Sequence, residues 1–135
     1  MASLIDELKA DHAMLLSELD AARSVNLDPV ALKEVLDRAR VHLLSHLGKE
    51  DARFYPALDN AAQQDPRLQA MLSLFRTEMI EIAREVNEFF QRLDTHGFGD
   101  DFVQAVGKMT SRLRARITRE ERMLYPEFER LKLVG

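Results

Sequence analysis

The chain has 135 residues, 19 Lys plus Arg against 23 Asp plus Glu, and a formal charge of −4. That length suits one domain with a real core, and the mild acidity argues against nucleic acid or an anionic membrane surface as a partner. Cysteine is absent, which excludes disulfides, thiolate metal sites and cysteine nucleophiles, so any metal must be held by His, Asp, Glu, Tyr or backbone.

The first predicted helix is capped by Ser3 and runs to about Arg23, with Ile5, Leu8, His12, Leu15 and Leu19 at spacings of three and four. Asn26-Leu27-Asp28-Pro29 reads as a turn. Asp28 caps the next helix and Pro29 suits its first position. That second helix runs to about Ala62, with Leu32, Val35, Leu36, Ala39, His42, Leu43, His46 and Glu50 on one face. Asp65-Pro66 repeats the start signal. The third helix carries Leu68, Leu72, Phe75, Met79, Ile82, Val86 and Phe89 as its stripe, and Phe90 joins Phe75 and Phe89 as ordinary core. Thr95-His96-Gly97-Phe98-Gly99-Asp100 is the clearest loop, with His96 exposed. The fourth helix runs from near Asp100 to about Leu131, with Phe102, Val106, Met109, Leu113, Arg116, Glu120 and Met123 inward. Pro56 and Pro126 lie inside the second and fourth helices, and each is expected to kink or end its helix. Four long helices with short connections predict an all-α, antiparallel up-down-up-down four-helix bundle, one domain over residues 1–135. No stretch approaches the roughly 20 apolar residues of a membrane span. The first seven residues lack a signal peptide's basic start and apolar run. A cytoplasmic location is the expectation.

Residues 43–59 and 113–129 are similar at an offset of 70: Leu43 matches Leu113, Glu50 matches Glu120, Asp51 matches Glu121, and Tyr55-Pro56 matches Tyr125-Pro126. The first and third helices match more weakly at an offset of 67, where Leu15 meets Ile82 and Leu19 meets Val86. The chain thus reads as two copies of one helix pair. The copies differ where His12 becomes Met79 and where His46 becomes Arg116.

The inward stripes therefore hold His12, His46, Glu50, Arg116 and Glu120 among the aliphatic residues. His46 and Glu50 sit one turn apart on one face, about 6 Å along the axis, and both reach a single ion placed between them. His12 and Glu120 complete a two-His, two-carboxylate set, which suits iron, manganese or zinc. Unpaired ionised Glu in a core costs several kcal/mol, so Glu50 and Glu120 need a cation. A divalent metal supplies one, and so does the guanidinium of Arg116.

The pattern resembles the hemerythrin-like family, the HHE cation-binding domain, over essentially the whole chain. The motifs are Asp11-His12, His46-x-x-x-Glu50 followed by Phe54-Tyr55-Pro56, and Glu120-Glu121 followed by Leu124-Tyr125-Pro126. The resemblance implies a four-helix bundle holding non-haem iron, usually as a di-iron centre, in oxygen binding, iron or redox sensing, or nitric-oxide and stress responses. It implies dioxygen or another small diatomic molecule as the ligand. One half-site is intact: His12, His46, Glu50 and Glu120. The other is degenerate, because Met79 and Arg116 stand where histidines are expected. Met is a poor ligand for a hard ferric ion and Arg is no ligand. Two readings stand side by side: one metal beside Arg116, or Arg116 filling the position with no metal bound. In the second, the bundle is an interaction or signalling module.

His42, one turn before His46, is expected to act as a core group or to orient a ligand by hydrogen bonding, with standing in for a missing ligand as the alternative. Met79 is expected to fill the core, and Glu78, off the stripe, to lie on the surface, with an inward turn to pair with Arg116 as the alternative. Tyr55 and Tyr125 are expected to pack, with their hydroxyls partnered; the alternative is that either hydroxyl reaches the site. The arginines from Arg112 to Arg122 read mostly as a solvated face. No nucleophilic triad, phosphate loop or external carboxylate cleft is present, so a binding protein rather than an enzyme is expected, monomeric or homodimeric, with a protein partner that the residues do not name. A plainer alternative leaves the polar inward residues at the wet ends of the bundle.

Overall fold

The computed structural model describes residues 3–23, 28–95 and 101–134. It contains α1 (Leu4–Ala22), α2 (Pro29–Lys49), α3 (Tyr55–Ala62), α4 (Pro66–Thr95), α5 (Phe102–Arg119) and α6 (Tyr125–Val134). Two short π-helical turns join α2 to α3 (Glu50–Phe54) and α5 to α6 (Glu120–Leu124). The helical rods are therefore four: α1, α2 with α3, α4, and α5 with α6. No strand occurs among the described residues. His96, with the centre of its loop, lies outside those residues, as do residues 24–27.

The predicted caps form. The Ser3 hydroxyl accepts from the Asp6 amide while the Asp6 carboxylate accepts from the Ser3 amide, which satisfies two donors that the first turn leaves orphaned. Asp28 accepts from the Ala31 amide ahead of α2, and Asp65 from the Leu68 amide ahead of α4.

Side-chain pairs fix the direction of neighbouring rods. Glu18 meets His42, Asp11 meets Lys49, and Glu7 meets Arg53, so α1 and α2 run antiparallel. Glu85 meets Arg112 and Glu78 meets Arg116, so α4 and α5 do too. Asp20 meets Arg114 while His12 meets Glu121, which brings α5 back beside α1. Arg40 meets Asp94 and Asp59 meets Arg76, which closes the ring between α2–α3 and α4.

Neither Pro56 nor Pro126 ends its helix. Proline lacks an N–H and its ring clashes with the carbonyl four residues back. Here the chain widens one turn before the proline: Tyr55 N–H bonds to Glu50 O and Tyr125 N–H to Glu120 O, an i to i−5 pattern. Such π-turns insert one residue into an α-helix without breaking it. The insertion corrects the predicted inward stripe. Met123 is exposed, and Leu124 is buried in its place. Buried residues then recur every four positions, at His46, Glu50, Phe54 and Leu58 and again at Arg116, Glu120, Leu124 and Phe128. In an uninterrupted α-helix that spacing drifts about 40° per step, and the wide turn takes up the drift.

The core has two apolar parts. One gathers Leu15, Leu19, Leu36, Ile82, Phe90, Val106 and Leu113. The other gathers Ile5, Leu8, Phe54, Leu58, Leu72, Leu124 and Phe128. In every rod the inward polar residue falls between a member of the first and a member of the second. The polar layer is thus sealed at mid-bundle, not placed at a wet end.

Candidate metal centre

Three of the four rods bring a candidate metal donor to this layer, and α4 brings Glu78, which meets Arg116. His12 comes from the middle of α1, His46 from the last turn of α2, and Glu50 and Glu120 from the first residues of the two π-turns. All four are buried, Glu50 to 2 % exposure. One ligand atom from each lies within 4.8 Å of the other three. His12 Nε2 and His46 Nε2 are 3.0 Å apart. Two nitrogens each about 2.1 Å from one ion and at right angles to each other would be separated by about 3.0 Å. The Glu50 carboxylate reaches His46 Nε2. The second oxygen of Glu120, Oε2, is buried without a hydrogen-bond partner among the described residues. Orphaned buried oxygens are rare and costly, and this one belongs to the same converging set. The donor set therefore fits a metal ion.

The opposite nitrogens of the two imidazoles are also engaged. His12 Nδ1 is 2.8 Å from Glu121 Oε2, and His46 Nδ1 is 3.2 Å from Asp11 Oδ2. Asp11 is held in turn by Lys49 at 3.0 and 3.3 Å. The Tyr125 hydroxyl lies 3.2 Å from His12 Nε2, with its ring stacked on the imidazole.

The position where the repeat predicts a second pair of histidines is filled differently. Arg116, only 2 % exposed, occupies it. Its Nε donates to Glu120 Oε1 at 2.9 Å. One terminal nitrogen donates to the Phe75 carbonyl at 2.7 Å and to Glu78 at 3.1 Å, and the other to the Tyr55 hydroxyl at 3.1 Å. The guanidinium also stands 4.7 Å over the Phe75 ring, a favourable cation–π distance. Five contacts to four residues make this a fixed internal cation, the bidentate-capable group that a buried carboxylate calls for.

Charge explains the protonation of the layer. Asp11, Glu50, Glu78, Glu120 and Glu121 face only Lys49, Arg116 and Arg119 within the network, a deficit of two positive charges. Burial, reinforced by the neighbouring Glu50, pushes the Glu120 carboxyl up to about 8 despite Arg116. Burial lowers the affinity of His46 for a proton, but the Glu50 and Asp11 carboxylates outweigh it, and the imidazole titrates above its ordinary value. Burial dominates at His12 and holds it below. Asp11 is driven below the usual carboxylate range by Lys49 and His46, against its partial burial. Without metal, protons on Glu120 and His46 make up the missing charge. A single divalent ion would supply the same two charges.

The sequence model of the hemerythrin HHE cation-binding domain matches residues 3–128. The chain belongs to that family. No curated protein and no solved structure matches it.

Placed against this HHE fold, the residues singled out in the sequence divide in two. His12, His46, Glu50 and Glu120 come together, and Arg116, Tyr55 and Tyr125 border them. Met79 packs half-buried against the first apolar cluster. Two expectations need correcting. Glu78 is not a surface residue: its carboxylate bridges Arg116 and Arg119, because the guanidinium draws it inward from the edge of the stripe. His42 does not orient a ligand: it is partly exposed, and its Nδ1 lies 2.6 Å from Glu18, one turn along α2 from the layer. The motifs alone assign Asp11 and Glu121 no role, and they are the partners of the two imidazoles. Their positions beside His12 and Glu120 were a usable signal, since adjacent residues on facing rods reach each other's neighbours.

Proposed function

We propose that this HHE-domain protein binds one divalent transition metal, iron in the first instance, through His12, His46, Glu50 and Glu120. Arg116 stands in for a second ion. The observation that carries this reading is the facing of the two Nε2 atoms at 3.0 Å beside the unpartnered Glu120 Oε2, with the guanidinium closing the remaining side. Nitrogen and carboxylate donors together favour iron, manganese or zinc over magnesium or calcium. Iron so held supplies a one-electron couple and Lewis acidity toward small diatomic molecules such as dioxygen. The chain's own part is to orient four donors, keep water out with the two apolar clusters, and hold Glu120 through Arg116. A role in oxygen, redox or iron sensing, as a binding protein and not an enzyme, follows from that division of labour. No helix among the described residues is long and apolar enough to cross a membrane.

Purification without chelator from iron-supplied cells, followed by elemental analysis and anaerobic titration with ferrous ion, tests this. The expected result is about one metal per chain. Less than about 0.1 per chain, with no uptake on titration, rejects it. The second reading, a metal-free signalling bundle, is favoured by the pairing of Arg116 with Glu120 and of His46 with Glu50, which leaves the layer self-neutralised by protons.

A further inference from the structure

Asp11 and Glu121 have no place in the four-donor set, yet each touches one imidazole on the nitrogen facing away from it. The arrangement is reciprocal across the rods. Asp11, the neighbour of His12 on α1, reaches His46 Nδ1 on α2. Glu121, the neighbour of Glu120, reaches His12 Nδ1 on α1. An ionised carboxylate only accepts, so the nitrogen that faces it carries the hydrogen. In the neutral ring the other nitrogen is then a bare lone pair. Both nitrogens are Nε2, and they face each other across a 3.0 Å gap. The Tyr125 hydroxyl also reaches the Nε2 of His12 and the Glu50 carboxylate that of His46, so Asp11 competes with Glu50 for the single proton of a neutral His46. Facing lone pairs at that distance repel unless a cation or proton lies between them. The two carboxylates thus preset the layer to receive a positive charge.

We propose that Asp11 and Glu121 are positioning residues that hold His46 and His12 in the Nδ1–H form and so aim both Nε2 lone pairs at one point. The inference rests on the metal-binding reading for its purpose, not for its test. The two carboxylates are unequally anchored. Asp11 is fastened by Lys49. Among the described residues Glu121 has no ion-pair partner besides His12, and its side chain is about a third exposed (32 %). Glu121→Ala therefore removes the contact with little disturbance of the core, and it is the first variant to make.

The tautomers are read directly from imidazole nitrogen resonances in metal-free protein, at a pH high enough that both rings are neutral. Wild type should show Nδ1–H at both His12 and His46. E121A should shift His12 toward Nε2–H and leave His46 alone, and D11A should do the reverse. E121Q, whose amide oxygen still accepts, should restore the His12 pattern. Should D11A fail to fold, D11L, close in shape to Asp but with no acceptor, replaces it, with the His46 signal as the readout. Ferrous affinity should fall about 10–100-fold in E121A and D11A, the usual loss when a partner behind a ligating imidazole is removed. If His12 in E121A and His46 in the Asp11 variant keep the wild-type tautomer, the inference is overturned, whatever the affinity does. Tautomers that respond in a wild type that takes up no metal uphold the positioning role and reject the metal-binding reading instead.

Discussion

The two halves of the polar layer are built from one repeated helix pair, and they solve the same electrostatic problem by opposite means. On one side His12 and His46 present lone pairs to a common point. On the other, Arg116 extends a permanent charge into the equivalent space and is tied down by Glu120, Glu78, Tyr55 and the Phe75 carbonyl. The first half leaves a place that an exchangeable cation would fit, whereas the second carries a fixed one. Substituting Arg for His at one position of the repeat thus converts a place for an ion into a covalent fixture. A second ion beside the guanidinium would meet strong repulsion in this low-dielectric layer.

The largest expected effect comes from removing that fixture. Arg116→Ala strips the buried partner from Glu120 and Glu78, and breaking one side of a buried pair typically costs about 3–5 kcal/mol. Urea unfolding of metal-free protein above about pH 8, where Glu120 is ionised, measures it, and a loss below about 1 kcal/mol would mean that the two halves are not electrically distinct. The comparison can also be inverted. Arg116→His combined with Met79→His should restore imidazoles to the second half and raise uptake from one ion per chain to two. Uptake that stays at one would show that the scaffold around the second position, and not the cation, forbids the ion.

His46→Ala attacks the other half. It removes a donor outright, so ferrous affinity should fall by more than the about 10–100-fold that loss of an outer partner costs. Calorimetric titration under anaerobic conditions reads this. Equal losses from H46A and from H42A would contradict the placement of His42 against Glu18, outside the layer.

The contrast between the halves was legible in the sequence, because helical periodicity places His12, His46 and Arg116 on inward stripes and the repeat sets Arg116 level with His46. The four-rod bundle was legible for the same reason, together with the Asp-Pro starts. The π-turns were not. Proline inside a helix has two outcomes, a break or a widened turn before it, and local propensity does not separate them. The unbroken four-residue spacing of buried residues from Arg116 through Leu124 separates them, but it becomes visible only once Met123 is seen to be outside and Leu124 inside. Glu78 was misplaced for a related reason: a long side chain at the edge of a stripe follows the charge it meets, and Arg116 supplies that charge.

Acidity provides a graded test of which half holds protons. Glu120 titrates at about 8 in the folded protein against roughly 4.3 for a free side chain. A raised carboxyl contributes stability that is fully present below the unfolded value and is lost as pH climbs to the folded one. His46, also raised, acts in the same direction above its ordinary value. His12, lowered, acts oppositely, and only as pH falls below its ordinary value near 6.5. Metal-free protein should therefore lose stability steadily from about pH 6.5 to 8, at no more than about 1.4 kcal/mol per pH unit for each proton involved. Binding a divalent ion should expel those protons and flatten the slope. Urea midpoints across this window, with and without ferrous ion, check both statements. A flat profile in the metal-free protein would mean that Arg116 already neutralises Glu120 unaided.

The finest separation of the halves uses the two tyrosines that the repeat made equivalent. Tyr55 accepts from Arg116, whereas Tyr125 lies against His12 Nε2. Tyr55→Phe deletes one of the guanidinium's partners. Hydrogen bonds to charged groups contribute about 1.5–3 kcal/mol, but four other contacts hold Arg116, so a loss near 1 kcal/mol is expected. That loss should be the same with and without metal, because the arginine half does not change state. Tyr125→Phe deletes a donor to a nitrogen that is accepting a hydrogen bond or binding an ion, but not both at once. Its cost should appear in metal-free protein and shrink on loading, so that Y125F gains more stability from ferrous ion than wild type does. If instead the metal dependence falls on Y55F, the exchangeable cation lies on the arginine side, and the assignment of the two halves must be reversed.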